Sequence, residues 1–358
     1  MAELLLEILS EEIPARMQKR AAEDLKRLIT DGLKTAGLSF DSARAFVTPR
    51  RLALVVDGLP VTQPDVVEEK KGPRVGAPDQ AMQGFLKSVG YDSPDQCEIR
   101  DIKGNQFYFA VAEKKGMPSH VILGGLLVKV IRNFPWPKSM RWGNGTAQWI
   151  RPVHRVSCLL GEMAIGLNLE AGEVFPANFE TYGHRFLAPD SIPVKDFAEY
   201  EEKLERASVI LDPAIRRETI LRVAESLAAR EKLTLWHDDA LLDEVTGLVE
   251  WPEALMGSID ADFMDLPPEV LTTSMRHHQK YFSLLDAKGN LAPRFIVVAA
   301  TRANNKGAAI IAGNERVLRA RLADARFFWD KDRKDKLETR VAALGDVVFH
   351  AKLGSLAE

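Results

Sequence analysis

LLLEILSEEIPARMQKRAAEDLKRLITDGLKTAGLSFDSARAFVTPRRLALVV, residues Leu4–Val56, decides how the chain begins to fold. Leu4–Leu9 is an apolar run of strand length broken only by Glu7, which reads as a buried strand. Ile13–Ala36 carries Leu25, Leu28, Ile29 and Leu33 at helical spacing and stops at Gly37, a residue that closes helices because it accepts left-handed backbone. Ala43–Val47 and Leu52–Val56 read as two further strands separated by TPRR, Thr48–Arg51. Residues 1–60 are therefore expected to form a small βαββ unit.

Working outward, Thr62–Pro78 is rich in proline, glycine and charge, with KKGPR at Lys70–Arg74, and reads as a linker or exposed loop. Ala77–Val89 and Ser119–Arg132 read as helices, and Gln96–Lys103 with Gln106–Lys115 as a hairpin around Gly104-Asn105. Val153–Leu160 and Ala164–Leu169 flank Gly161-Glu162 as another hairpin, followed by charged helices over Pro193–Ala207 and Pro213–Lys232. After Leu242 the order is helix, strand, helix, strand, strand, ending at Phe295–Ala299. A long helix then spans Asn304–Asp330, with Val317, Leu318, Leu322, Phe327 and Phe328 as its apolar stripe. The fold class is α/β (α+β), multidomain, with mixed sheets and a helix-rich C-terminal end. The expected divisions are residues 1–60, an α+β region over 61–152, a mixed α/β domain with a helical insertion over 153–303, and a helical segment over 304–358.

With 358 residues, of which 46% are hydrophobic, the chain can bury more than one core. Its net charge of −3 argues against wholesale polyanion binding, so any such contact is expected to be a local patch. The opening segment has no basic lead-in and is interrupted by Glu7, Glu11 and Glu12, unlike a signal peptide. Val121–Ile131 is too short and too broken by Lys129 to span a membrane. Cys97 and Cys158 lie far apart in no paired pattern, so neither a disulfide framework nor a zinc site is expected, and the address is expected to be cytoplasmic. One local patch does stand out. The 48 residues Lys114–Gly161 contain no Asp or Glu and close on FPWPKSMRWGNGTAQWIRPVHR. Lys138, Arg141, Arg151 and Arg155 interleave there with Phe134, Trp136, Trp142 and Trp149, placing charges for phosphate oxygens beside flat faces for unstacked bases. The same rings could equally anchor a sheet edge, with the basic heads solvated above them.

Searches for reaction centres return no phosphate-cradling glycine loop, no glycine-framed serine and no HExxH helix. His237-Asp238 is a lone pair of metal-ligand types, and Asp238-Asp239 reads as helix-capping acids. His277 and His278 are adjacent, which on a helix turns their rings about 100° apart and disfavours a shared metal. Hydrogen bonding near Tyr281 is the expected role, and no catalytic or metal-binding set is expected in this chain.

Seven colinear segments carry a more specific signal: LLLEILSEEIPA (Leu4–Ala15), TPRRLAL (Thr48–Leu54), FPWPKSMRWG (Phe134–Gly143), TYGHRFL (Thr181–Leu187), LLDEVTGLVEWPEAL (Leu241–Leu255), SMRHHQKYF (Ser274–Phe282) and GNERVLRARLADARFFWDKD (Gly313–Asp332). Together they resemble the β subunits of bacterial glycyl-tRNA synthetases. The resemblance implies a cytoplasmic α2β2 ligase whose α subunit, of class II fold, activates glycine with ATP and Mg²⁺, so that no cofactor belongs to this chain. It implies that the β subunit binds glycine tRNA and the α subunit, with no membrane partner. The motif positions that match are Arg50, Arg51, Lys138, Arg141, Arg151, His184, Arg185, His278, Gln279, Lys280 and Tyr281. Arg50, Arg51, Lys138, Arg141, Arg151, Arg155, His278, Gln279, Lys280 and Tyr281 are the candidates for tRNA or subunit contact. Lys352–Glu358 resembles the opening of an HD-like domain that longer members continue into, so the chain is expected to be an N-terminal portion. Two other readings stay open, a hydrolytic editing module and a purely structural assembly subunit. Glycine, the smallest amino acid, needs little editing because a snug site rejects larger rivals.

Overall fold

The computed structural model describes residues 1–143, 145–169, 174–302 and 305–357. Strand β1 (Ala2–Ser10) leads into helix α1 (Ala15–Thr35), then β2 (Ser42–Val47) and β3 (Arg51–Leu59). β4 (Val66–Arg74), α2 (Asp79–Val89), β5 (Glu98–Ile102), β6 (Asn105–Lys114) and α3 (Ser119–Arg132) follow, and β7 (Val153–Leu160) and β8 (Met163–Ala164) come next. The first sheet runs β2-β3-β1-β7-β8, with β1 antiparallel to both β3 and β7. It therefore draws strands from both the 1–60 and the 153–303 segments. Leu4, Leu6 and Ile8 face a core with Leu25, Ile29 and Leu33 of α1 and Leu123 and Leu127 of α3, while Leu5 faces the opposite way. A strand covered on both faces needs apolar residues at successive positions, which is why β1 reads as a continuous run. Burying each such Leu or Ile contributes about 1.5–3 kcal/mol.

The stretch expected to be a loop, Thr62–Pro78, instead contains β4, the edge of a three-stranded sheet ordered β4-β6-β5. Its side chains are charged and mostly exposed, so no hydrophobic period marks it, and the ladder to β6 comes from backbone groups that any sequence supplies. Charged residues also suit an edge strand because they discourage pairing with other chains. At Gly72 a Cβ would lie 2.5 Å from the Phe85 ring, so the bare backbone lets α2 approach the strand. Lys103 and Gly104 turn the β5–β6 hairpin at φ of 55° and 80°, the left-handed pair that matches strand twist.

Two short ladders follow, β9 (Leu167–Asn168) with β10 (Val174–Phe175) and β11 (Glu180–Tyr182) with β12 (Ser191–Pro193). The helix expected from Pro193 begins later, as α4 (Phe197–Arg206). Pro193 closes β12, and Asp196 caps the helix by accepting from the Glu199 amide. Phe197, Tyr200 and Leu204 of α4 cover the other face of the first sheet. The second half contains α5 (Pro213–Arg230), β13 (Thr234–Leu235), α6 (Asp239–Thr246), β14 (Glu253–Ser258) and α7 (Pro268–Thr273). A π-helical turn over Ser274–Gln279, β15 (Phe282–Leu285), β16 (Leu291–Ala299) and α8 (Ala308–Asp332) follow, and beyond α8 the segment expected to be helical instead holds short turns over Leu337–Arg340 and Ala342–Asp346 and a ladder of β17 (Val348–His350) with β18 (Gly354–Ser355). The order helix, strand, helix, strand, strand after Leu242 is the one read from sequence, and Pro213 sits in the first turn of α5, where its missing donor costs little. The sheet β13-β15-β16-β14 packs α5 and α6 on one face and α8 on the other. Asn304, where the last helix and division are expected to begin, lies outside the described residues. Of the apolar stripe on α8 only Leu318 and Leu322 are buried; Val317, Phe327 and Phe328 are exposed.

The two sheets are joined by a buried polar junction. Gln18 of α1 donates to the Gly247 carbonyl at 2.7 Å, and Arg216 of α5 donates to the Val47 carbonyl at 2.7 Å. No helix among the described residues is long and apolar enough to cross a membrane.

Candidate nucleic-acid interface

The sequence candidates divide into four groups by what surrounds them. In the first, Arg51 is completely buried, so it is unavailable to RNA or another subunit. Its Nε donates to Glu250 at 2.9 Å and its Nη1 to Glu7 at 3.3 Å and Thr181 at 3.2 Å. Thr48 donates to Glu250 at 2.6 Å, and the Tyr200 hydroxyl donates to Glu7. Burial by itself would lift the Glu250 carboxyl, but the Arg51 charge and the Thr48 and Arg51 hydrogen bonds outweigh it and hold the group below its ordinary value. Burial likewise opposes the charge on Arg51, and the two carboxylates outweigh it and raise its pKa. LLLEILSEEIPA, TPRRLAL, TYGHRFL and LLDEVTGLVEWPEAL, four of the segments that carry the family resemblance, thus meet at one guanidinium, and part of that signature specifies folding.

The second group lines a cleft of about 590 Å³ with Arg50, His154, Arg155, Tyr182, Arg185 and Phe186 around it. Phe186 is 74% exposed. His184 builds this loop: its Nδ1 accepts from the Phe186 and Leu187 amides at 3.3 Å each, and burial lowers its pKa. Most of the cations here are already neutralised. Arg155 lies 3.3 Å from Glu180, Arg185 pairs with Glu11 and Glu12, and His154 meets Glu11 at 2.8 Å. The His154 hydrogen bond holds the Glu11 carboxyl below its usual range, so it is ionised at neutral pH. Arg50 is half-buried, its pKa is lowered by that burial, and its Nε has no hydrogen-bond partner among the described residues.

The acid-free stretch forms the third group. Its rings turn inward: Trp149 is 0% exposed, Phe134 is buried, and Trp136 and Trp142 pack against the first core. Phe134, Trp136 and Trp149 interlock with centroids 4.9–5.0 Å apart. Met140 and Trp149 exchange backbone hydrogen bonds at 2.8 and 3.2 Å, closing the loop between them; Asn144 within it lies outside the described residues. The faces expected to be offered to unstacked bases are therefore spent on the core, and the sheet-anchor alternative describes them. The basic heads are left outside. Lys138, Arg141 and Arg151 are exposed, and Lys138 shares a cavity of about 390 Å³ with Arg16 and Arg20 at the start of α1. Arg20 pairs with Asp24, but among the described residues Arg16, Lys138 and Arg141 make no ion pair. Arg16 was legible only as an exposed position on α1; nothing in the one-dimensional pattern ties it to a segment more than a hundred residues away.

The remaining candidates, His278, Gln279, Lys280 and Tyr281, form the fourth group, on the π-helical turn and the reversal that lead into β15 of the second sheet. Lys280 donates to Glu244 at 3.0 Å, and buried Tyr281 donates to Asn314 at 2.6 Å. Asp238 caps α6 by accepting from the Leu241 amide at 2.9 Å, as its position before the helix suggests. Among the described residues no group of three or more His, Cys, Asp or Glu side chains is placed to hold a metal ion.

A family model described as glycyl-tRNA synthetase beta subunit matches residues 4–358. Curated relatives named glycine–tRNA ligase beta subunit include those of Rhodospirillum centenum, 51% identical over all of this chain and 53% of the relative, and Ruegeria sp., 50% identical with the same coverage. That of Dinoroseobacter shibae is 49% identical over all of this chain and 50% of its own length. The chain spans about half the length of the curated relatives it matches.

Proposed function

The chain belongs to the glycyl-tRNA synthetase beta subunit family, and from that membership we propose that it serves glycine–tRNA ligase by holding tRNA through exposed cations of the acid-free stretch and of the start of α1. The observation that carries this reading is the set of exposed cations Arg16, Lys138 and Arg141 without carboxylate partners, against a neighbouring cleft whose arginines are largely neutralised. Unpaired cations can each neutralise a phosphate and release counterions, whereas a paired arginine must first give up its carboxylate. With the rings buried, the contact is to the phosphate backbone and reads position rather than sequence. In this proposal the α subunit of an α2β2 assembly activates glycine with ATP and Mg²⁺, and this chain completes the assembly in the cytoplasm without a catalytic site of its own.

The test is Lys138→Glu combined with Arg141→Glu. Glycine tRNA affinity should fall, and the slope of log affinity against log salt should flatten by about two units, one per lost phosphate contact. Thermal unfolding should be unchanged because both heads are exposed. A folded variant with unaltered affinity and slope would remove this face from the RNA contact. Separately, the pure chain is expected to give no glycine-dependent ATP–pyrophosphate exchange, and robust exchange would overturn the division of labour.

A further inference from the structure

SMRHHQKYF takes no part in the interface above, yet its backbone is unusual. Ser274–Gln279 is π-helical, and Lys280 then reverses the chain at φ 60°, a left-handed conformation that non-glycine residues seldom adopt. Such departures are concentrated where a site requires a particular side-chain placement. Here they place Arg276 and Tyr281 in the wall of a cavity of about 310 Å³ that Trp236, Asp238, Thr272 and Ser283 also line. Trp236 is 46% exposed although it stands in a concave wall, and its backbone is fixed by donation from its amide to the Ser283 carbonyl at 3.0 Å. The indole thus offers a positioned, solvated aromatic surface; the Ser283 hydroxyl beside it can donate or accept, and the Thr272 hydroxyl, which donates to the Glu269 carbonyl at 3.3 Å, can accept.

Charge decides what kind of ring fits. The permanent cations beside the cavity are paired: Arg276 binds Asp238 through Nε and Nη2, and Lys280 meets Glu244 at 2.9 Å. Asp238 is held ionised by the Arg276 hydrogen bonds. A polyphosphate would find no unpaired arginine or lysine among the described residues lining the cavity, whereas a neutral planar ring with polar edges would find an aromatic face and hydrogen-bonding groups. The volume is at the small end of the range of about 300–1,000 Å³ for ligand sites, room for one such unit and not for a helix.

We propose that this cavity binds a single nucleoside, its base stacked on Trp236, either free or as an unstacked residue of RNA. The proposal does not depend on the phosphate-binding reading, since it concerns a different sheet and an uncharged ligand. Equilibrium dialysis of the intact chain against adenosine and ATP is the test, with circular dichroism melts to establish that variants fold. Adenosine should bind saturably, and ATP no more than about threefold tighter, because the cavity's cations are already paired. Trp236→Ala should weaken adenosine binding about 5- to 150-fold, the range for loss of one base–aromatic stack, and Trp236→Phe should recover most of it. A hairpin RNA with one bulged adenosine, compared with the same hairpin fully paired, identifies the source. Weakening of the bulged RNA together with adenosine by Trp236→Ala assigns the site to RNA, and weakening confined to adenosine assigns it to a free nucleoside. Unchanged adenosine binding in folded Trp236→Ala, or ATP binding more than tenfold tighter than adenosine, would overturn the proposal.

Discussion

Replacing Arg51 with Met removes the guanidinium that bridges Glu7 and Glu250 while keeping most of the side-chain volume, and both carboxylates are almost wholly buried. Breaking a buried ion pair by removing one partner costs about 3–5 kcal/mol, because the remaining charge is left without compensation. An upper limit follows from titration. An orphaned carboxylate can escape by taking up a proton, which from an ordinary pKa of about 4.3 costs about 3.7 kcal/mol at pH 7 and about 1 kcal/mol at pH 5. The penalty at pH 7 should therefore lie between about 3 and 7 kcal/mol and should shrink by about 2–3 kcal/mol per protonating carboxylate at pH 5. In the unmodified chain the trend runs the other way. Glu250 has a lowered folded pKa, so its stabilisation is present above its unfolded value and is lost as pH falls through the folded one. Urea unfolding of both proteins at pH 7 and pH 5 gives the four free energies required. A penalty below about 1 kcal/mol at pH 7, or one that is the same at both pH values, would refute the view of Arg51 as an obligatory buried cation.

Arg16→Glu should weaken glycine tRNA binding and flatten the salt slope by about one unit without loss of stability, since an acidic side chain in the first turn of α1 favours the helix; a fall in melting temperature would contradict this. Trp149→Ala should cost about 3–5 kcal/mol in chemical denaturation, because the ring is fully buried among Phe134 and Trp136, and a cost under 1 kcal/mol would show that the aromatic cluster is not a core element. Gly247→Val should loosen the junction between the two sheets by about 1–3 kcal/mol: a Cβ there would stand 2.6 Å from the Ala15 Cβ and 2.9 Å from its Cα. Faster proteolysis between α6 and β14 would report it, and an unchanged cleavage rate would contradict it.

Where a segment's period matched its burial, the sequence was readable: β1 announces itself as a strand covered twice over, and α1 by Leu25, Ile29 and Leu33. β4 escaped because an edge strand's ladder is made of backbone groups while its side chains stay in water. Arg51 escaped for a different reason. In one dimension it is indistinguishable from Arg50, and only Glu250, 199 residues away, reveals that it belongs to the core. The acid-free composition of Lys114–Gly161 correctly marked a cationic surface, but composition carries no direction, so it could not say that the rings point in while Lys138 and Arg141 point out.

The order β2-β3-β1-β7-β8 sets a timetable for synthesis. When β3 is complete at Leu59, the apolar edge of β1 still lacks the partner that begins at Val153 and ends at Leu160. At about 5–20 residues per second the ribosome needs roughly 5–20 s to supply it, and longer still to deliver Glu250 to Arg51. For that interval the nascent chain carries an open hydrophobic strand edge, the geometry most prone to pairing with a neighbouring chain. Slowed translation between Leu59 and Val153, or crowding of nascent chains on one message, would lengthen the exposure and lower the yield of folded protein without altering a single contact in the finished molecule.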